Sequence, residues 1–500
     1  MKRQAIALAT LLAFAPACSH GSAAHTAVNA GAQAVPVPAP APAPPPKLPE
    51  MADAPAFAAV SKLINDAIAA DKLPGAVVEI GHAGAIAFHQ AYGLRKHAGE
   101  PGLDGRPAPA EPMTEDTIFD LASLTKNLVT ATAVMQLYEQ GNVQVDDPAQ
   151  QYLPDFNPLG DPRRAKVTVR MLLTHTSGEP GDVELKDPWG LAGPDRSEGV
   201  RRALTTPLQS GPGEGFRYSD INFILLGALV EKITGQALDV YAQQHIFGPL
   251  GMADTRFLPA AKACGPHVTY GSALAWTPGA APATCPAGSW DTGLLARIAP
   301  TARDEEGRAD PDKNPDLDHL LRGTVHDTTA RRMGGVAGHA GVFSTAYDVS
   351  IFAQALLDRL AGRPSQFPLK QATLEMMTAP QQPGHTALQL EAANQAARKA
   401  LAQRPNGNQS LLAARYPAIA GQNLRGFGWD IDTGQSAPRG AVFPIGSFGH
   451  TGFTGTSLWM DPGSDTYIVL LSNSIHTRGS PPMSNLRGEV ATAAARALGL

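Results

Sequence analysis

The chain has 500 residues, and its 50 Gly and 44 Pro make nearly one position in five a backbone punctuator, which excludes a coiled coil or a helical bundle. Hydrophobic residues at 43% against 17% charged residues allow a large core, so disorder along the whole chain is excluded. With 40 Lys+Arg against 45 Asp+Glu, a net charge of -5 and no dense basic block, nucleic acid is not an expected partner.

Residues 1–18 carry a basic start at Lys2 and Arg3, an apolar run from Ala5 to Ala15 and small residues before Cys18, the pattern of a secretory signal. The run is too short to span a bilayer as a mature helix. Ala15-Pro16-Ala17-Cys18 resembles a bacterial lipoprotein cleavage site, although Pro16 and the absence of Leu three residues before Cys18 depart from it. Two fates stay open: lipidation at Cys18, the one membrane attachment expected, or simple export to the periplasm or cell envelope. Residues 19–50 are rich in Ala and Pro, with Val35-Pro36-Val37-Pro38 and Pro44-Pro45-Pro46, and read as a semi-rigid polyproline tether. Export also leaves two states for the other cysteines, Cys264 and Cys285: a pair, or two free thiols.

Residues 51–500 read as one folded domain. Phe57, Val60, Ile64 and Ile68 recur at spacings of three and four and predict a first helix. Gly75 to Ile80 and Ala85 to Tyr92 are β-rich runs around the turn His82-Ala83-Gly84. A short strand near Thr117 to Phe119 leads to a helix from about Ser123 that stops at Gly141. Helical spacing returns at Arg170 to Thr174, Asp220 to Ile233 and Leu238 to Ile246. Residues 258–325 and 378–424, rich in Pro, Gly or polar residues, read as surface insertions. Gly455 to Met460 and Thr466 to Ser472 are strands about the turn Asp461-Pro462-Gly463-Ser464, and Leu486 to Leu498 is a last helix. Strands at both ends imply one sheet built from residues 51–120 and 425–500, with a helical lobe and insertions over 121–424.

Three segments carry chemistry. Ser123-Leu124-Thr125-Lys126 lies at a strand-to-helix junction, where three residues advance nearly one turn and bring the two side chains to one face. A helix N-terminus there favours an anionic Ser oxygen and disfavours a charged Lys, as a nucleophile and its base require. Chance alone supplies roughly one or two such tetrads in a chain this long. The plainer alternative is Ser123 as a helix cap and Lys126 as a solvated residue. Tyr218-Ser219-Asp220 enters an apolar helix, so Tyr218 either presents its phenol to a cleft, where an ammonium would make it a base, or is a half-buried residue beside a cap. Gly449-His450-Thr451-Gly452-Phe453-Thr454-Gly455 precedes a strand; either its glycines admit a substrate backbone and the Phe453 N–H faces an oxyanion, or it is a bend at a sheet corner.

Taken together, in this order, the three resemble the penicillin-recognising serine hydrolases: class C β-lactamases, DD-peptidases and related esterases and peptidases. Ile118-Phe119-Asp120-Leu121-Ala122-Ser123, Leu172-Leu173-Thr174-His175-Thr176-Ser177-Gly178, Pro249-Leu250-Gly251-Met252 and Gly334-Gly335-Val336-Ala337-Gly338 extend the likeness over about residues 55–500. The resemblance implies an α+β fold of three layers, α/β/α: an antiparallel β-sheet flanked by N- and C-terminal helices, plus a mostly helical lobe. It implies Ser123 as the acylated nucleophile, Lys126 and Tyr218 as the proton-transfer pair, and the N–H groups of Ser123 and Phe453 as the oxyanion hole. Asp220, His450, Thr451 and Gly452 would contact substrate, with no cofactor and no metal.

Two positions depart from the family's commonest pattern. Asp220 replaces an Asn and can only accept hydrogen bonds when ionised, so it is free to orient Lys126. His450 stands for a Lys, so carboxylate-bearing substrates should lose affinity as pH rises through the imidazole pKa. Both departures point away from an efficient β-lactamase. Val325-His326-Asp327 and Gly338-His339-Ala340-Gly341 look like a cell-wall-recycling branch in which some members cleave muramyl peptides. The expected function is therefore an exported serine hydrolase acting on a cell-wall-derived peptide, as a DD-peptidase or muramyl-peptide amidase. The alternatives are a small-ester esterase or weak β-lactamase, and a non-catalytic binding module. No Gly-x-Ser-x-Gly, H-E-x-x-H, Walker A or G-x-G-x-x-G motif occurs, and His175, His326, Asp327, His339 and His450 lack the helical spacing of a metal site.

Overall fold

A computed structural model describes Leu48 and residues 54–280, 282, 284–306, 308, 310–382 and 423–500. The segment 1–18 expected to be a signal, nearly all of the expected tether at 19–50 and most of the expected insertion at 378–424 lie outside the described residues.

The two ends of the chain do build one sheet. Its strands are β1 (Gly75–His82), β2 (Ala85–Lys96), β3 (Glu111–Pro112), β4 (Leu424–Arg425), β5 (Asp430–Asp432), β6 (Phe448–Thr451), β7 (Ser457–Asp461) and β8 (Thr466–Ser472). They lie in the order β4-β5-β6-β7-β8-β1-β2-β3, antiparallel throughout. The pairing of β1 with β8, Val77 opposite Leu471 and Val78 opposite Leu470, closes the sheet across the whole sequence. Alternation then sorts side chains by face.

The helices that matter to the site are α1 (Ala58–Ala69), α2 (Thr132–Glu139), α3 (Asp220–Thr234), α4 (Ala346–Leu360) and α5 (Ser484–Ala497). Val78, Ile80, Trp459, Ile468 and Leu470 pack on one face against Val60 and Ile64 of α1 and Val490 and Ala494 of α5. Val77, Leu458, Met460, Val469 and Leu471 point the other way, into the larger core that holds α4 and the helical lobe. Both faces of the sheet are thus covered, giving the three layers that the resemblance implies. At the centre of the lobe α3 is buried continuously from Ile221 to Val230, which suits a helix that is apolar all round.

Residues 258–325 are not a loose surface insertion. Leu274, Trp290, Leu295, Ile298 and Ala299 join the main core, Ile298 bridges Ile118, and Cys264 is disulfide-bonded to Cys285. Their apolar residues are too sparse for a periodic signal, yet tertiary contacts bury them. The predicted elements elsewhere stand within a few residues. The exception is Phe448–Thr451, which is itself a strand rather than a loop before one.

Candidate active site

Phe119–Asp120 pairs with Val342–Ser344 and delivers the chain to a strained turn. Ala122 sits at φ 47°, a left-handed conformation that costs a non-glycine residue roughly 1–3 kcal/mol. Several hydrogen bonds hold it there. The Asp120 carboxylate accepts from the N–H of Ala122 at 2.9 Å and of His326 at 2.7 Å. Thr454 and Thr456 donate their hydroxyls to the carbonyls of Asp120 and Leu121. Burial raises the Asp120 carboxyl to about 6. Ala122–Leu124 then form a 3₁₀ turn, Lys126–Ala131 a widened π turn, and α2 follows. Across the join of the two turns, Lys126 Nζ donates to Ser123 Oγ at 2.9 Å.

Lys126 is fully buried, and its ammonium has three partners: Ser123 Oγ, the His339 carbonyl at 3.1 Å and Asp220 Oδ1 at 2.6 Å. Burial by itself would pull the ammonium down, but the Asp220 carboxylate outweighs it and holds Lys126 above the ordinary lysine value. The expected depression of Lys126 at a helix N-terminus is therefore reversed. An ion pair at 2.6 Å outweighs a partial helix charge. The Tyr218 ring centroid lies 5.0 Å from Lys126 Nζ, and Tyr218 shares a cavity with Ser123; burial and then Asp220 raise the phenol against the pull of Lys126, so the resting site holds an ammonium and a neutral phenol. Ser219 caps α3 by accepting from the Asn222 N–H, which frees Asp220 at the first position of the helix to turn toward Lys126.

The third segment borders a cavity of about 370 Å³ lined by Ser123, Tyr218, Thr451, Gly452, Phe453 and Arg487. A Cβ on Gly452 would meet the Leu121 carbonyl at 2.4 Å, so its missing side chain lets this turn pack against the nucleophile's turn. His450 has a different place from the one expected. Its ring is buried, Nδ1 donates to the Thr451 carbonyl at 2.8 Å, and burial followed by the Arg425 and Lys126 charges keeps it well below the ordinary histidine value. His450 thus stays neutral, and the expected pH-dependent grip on carboxylates is corrected.

Sequence reasoning missed Arg487 of α5. It lines the cavity, donates to the carbonyls of Gly452 at 2.8 Å and Thr456 at 2.9 Å, and has no ion-pair partner among the described residues. Burial pulls it down to about 10, so it stays cationic at neutral pH. An arginine on an ordinary amphipathic helix gives no local signal of this placement.

Both recycling-branch phrases reach the site. The Asp327 carboxylate accepts from His339 Nε2 at 2.8 Å, fixing the residue whose carbonyl holds Lys126. The His326 ring stacks on Phe453 with centroids 5.8 Å apart. His175 is buried at φ 57° with its ring 4.5 Å from that of Tyr218, and its Nδ1 accepts from the Ser219 N–H. These histidines brace protein groups, and among the described residues no cluster of three or more His, Cys, Asp or Glu is arranged to hold a metal.

Comparison with known proteins matches residues 60–491 to the beta-lactamase family profile. An N-acetylmuramyl-L-alanine amidase of Bacillus subtilis (strain 168) is 31% identical over 434 residues, covering 85% of this chain and 82% of that protein. An Escherichia coli (strain K12) protein named "Putative D-alanyl-D-alanine carboxypeptidase" is 29% identical over 409 residues, covering 80% and 78%. A class C beta lactamase structure from Rhodobacter sphaeroides shares the fold at TM-score 0.54 and 18% identity, covering 88% of this chain and 99% of that one.

Proposed function

Because the chain belongs to the beta-lactamase family and is a serine hydrolase of it, we propose that it hydrolyses an amide bond of a cell-wall-derived muramyl peptide through an acyl-enzyme on Ser123. The observation that carries this reading is the unbroken line from Ser123 Oγ to Lys126 Nζ to Asp220 Oδ1, at 2.9 and 2.6 Å. As Ser123 attacks the amide carbonyl, its proton passes to Lys126 while a Lys126 proton moves to Asp220. The N–H groups of Ser123 and Phe453 hold the oxyanion. Tyr218 protonates the departing amine and recovers its proton from Lys126. Water then cleaves the acyl ester, so amide and water become acid and amine. The name of the Bacillus subtilis relative supports a muramyl amide as the bond cut.

A second reading, a D-alanyl-D-alanine carboxypeptidase, is favoured by Arg487, a cation in the cavity suited to a terminal carboxylate. Both readings include export to the cell envelope, supported by the apolar run before Cys18 and by the Cys264–Cys285 pair, since disulfides persist in oxidising compartments. The test is hydrolysis by the purified protein of an N-acetylmuramyl dipeptide, a peptide ending in D-Ala-D-Ala, a β-lactam and a short-chain ester. The muramyl amide is expected to give the highest kcat/KM, and Ser123→Ala to lower it at least about a thousandfold. Faster release of D-alanine would select the second reading, and a preference for the ester would reject both.

A further inference from the structure

Few large apolar side chains are exposed among the described residues, and one of them stands at the cleft. The Phe453 ring is 74% exposed, whereas its own neighbours Gly452 and Thr454 pack against the nucleophile's turn. One side of the ring carries the His326 imidazole, nearly parallel at 18°. The backbone N–H of His326 donates to the Asp120 carboxylate, which anchors the segment that carries this imidazole. The result is a braced aromatic plate with an exposed surface on the cavity that holds Ser123. A lone exposed aromatic needs no explanation, but one backed by a second ring and beside a nucleophile does.

We propose that Phe453, backed by His326, is the platform on which the pyranose ring of the substrate stacks, an inference that rests on the muramyl-peptide reading above. Aromatic faces carry partial negative charge, and a pyranose presents a face of weakly positive C–H groups that lies flat on such a plate. The covalent geometry matches. The Phe453 ring hangs from the residue whose N–H receives the oxyanion, so the group on the ring must lie close to the scissile carbonyl. In a muramyl amide only the ether oxygen and one carbon separate that carbonyl from the sugar. In a D-Ala-D-Ala terminus the sugar is several residues away. Gln435, Ser480 and Ser484 line the same cavity and supply donors and acceptors for hydroxyl and N-acetyl groups.

The test is calorimetric binding to the Ser123→Ala protein, which separates the platform from the chemistry. Two probes are compared, N-acetylmuramyl-L-alanyl-D-isoglutamine and the same dipeptide carrying a lactoyl group without the sugar. Adding Phe453→Ala should weaken the sugar-bearing probe about tenfold more than the lactoyl probe. Phe453→Trp should restore the difference, and Phe453→Leu, apolar but not planar, should not. Equal losses for both probes, full retention by Leu, or no Phe453-dependent binding of the muramyl probe would each overturn the platform. Sugar-dependent binding without hydrolysis by the Ser123 protein would instead keep the platform and overturn the amidase reading.

Discussion

Asp220 governs the protonation state of the site. A carboxylate 2.6 Å from a fully buried lysine keeps the ammonium charged in surroundings that would otherwise discharge it. Replacing it in Asp220→Asn leaves burial to act alone, so a larger share of Lys126 is neutral at a given pH. With no carboxylate to take the Lys126 proton, the variant must use the neutral amine as base, so the rising limb of the kcat/KM profile is expected to move to higher pH, and a profile identical to that of the parent would remove Asp220 from the proton path. Ser123, Lys126 and Tyr218 were singled out in the sequence because each sits in a short motif, and the order of those motifs resembles the family's. The charge states of Lys126 and His450 were not, because neighbours distant in sequence set them: Asp220 for one, burial with Arg425 for the other.

Elements reach the site by close approach. Gly338 lies against α3, where a Cβ would meet the Phe223 carbonyl at 2.0 Å and the Gly227 Cα at 3.0 Å. Gly338→Ala must push the segment away and carry with it the His339 carbonyl that holds Lys126. Steady-state kinetics should show kcat falling about a hundredfold with KM little changed. Unchanged kcat would mean that this carbonyl does not position Lys126. A second element-scale prediction concerns the Cys264–Cys285 bond, which closes a sequence separation of 21 residues. Cys264→Ser with Cys285→Ser should lower stability by about 3 kcal/mol in denaturant unfolding while kcat is kept, since neither residue lines the Ser123 cavity. Helix periodicity predicted α1, α3 and α5 well. It could not separate a 3₁₀ turn and a π turn from an ordinary helix start at Ser123, because the segment is held by partners distant in sequence: Thr454 and Thr456 donate to the Asp120 and Leu121 carbonyls before it, and Asn127 and Thr130 donate to the Gly428 and Gly338 carbonyls within it.

At the scale of the molecule, the C-terminal segment completes both the sheet and the cleft. α5 covers one sheet face with Val490, Ala491, Ala494 and Ala495 and also carries Arg487 into the cavity. Ending the chain before Ser484 should expose that face and yield aggregated protein by gel filtration, whereas Arg487→Ala should remain monodisperse and lose affinity for carboxylate-bearing substrates. Equal behaviour of the two would show that α5 is not needed to cover the sheet. The sequence by itself determined the order of the motifs, the helices and strands with clear periodicity, and the pairing of the two chain ends, since each follows from local spacing or from which segments need a partner. Only the tertiary structure decided that residues 258–325 join the core, that Lys126 is charged and His450 neutral, and that Arg487 is the cation of the cleft. The physical reason is shared: burial and electrostatic neighbours are properties of packed surfaces brought together by folding, and no window of sequence contains them.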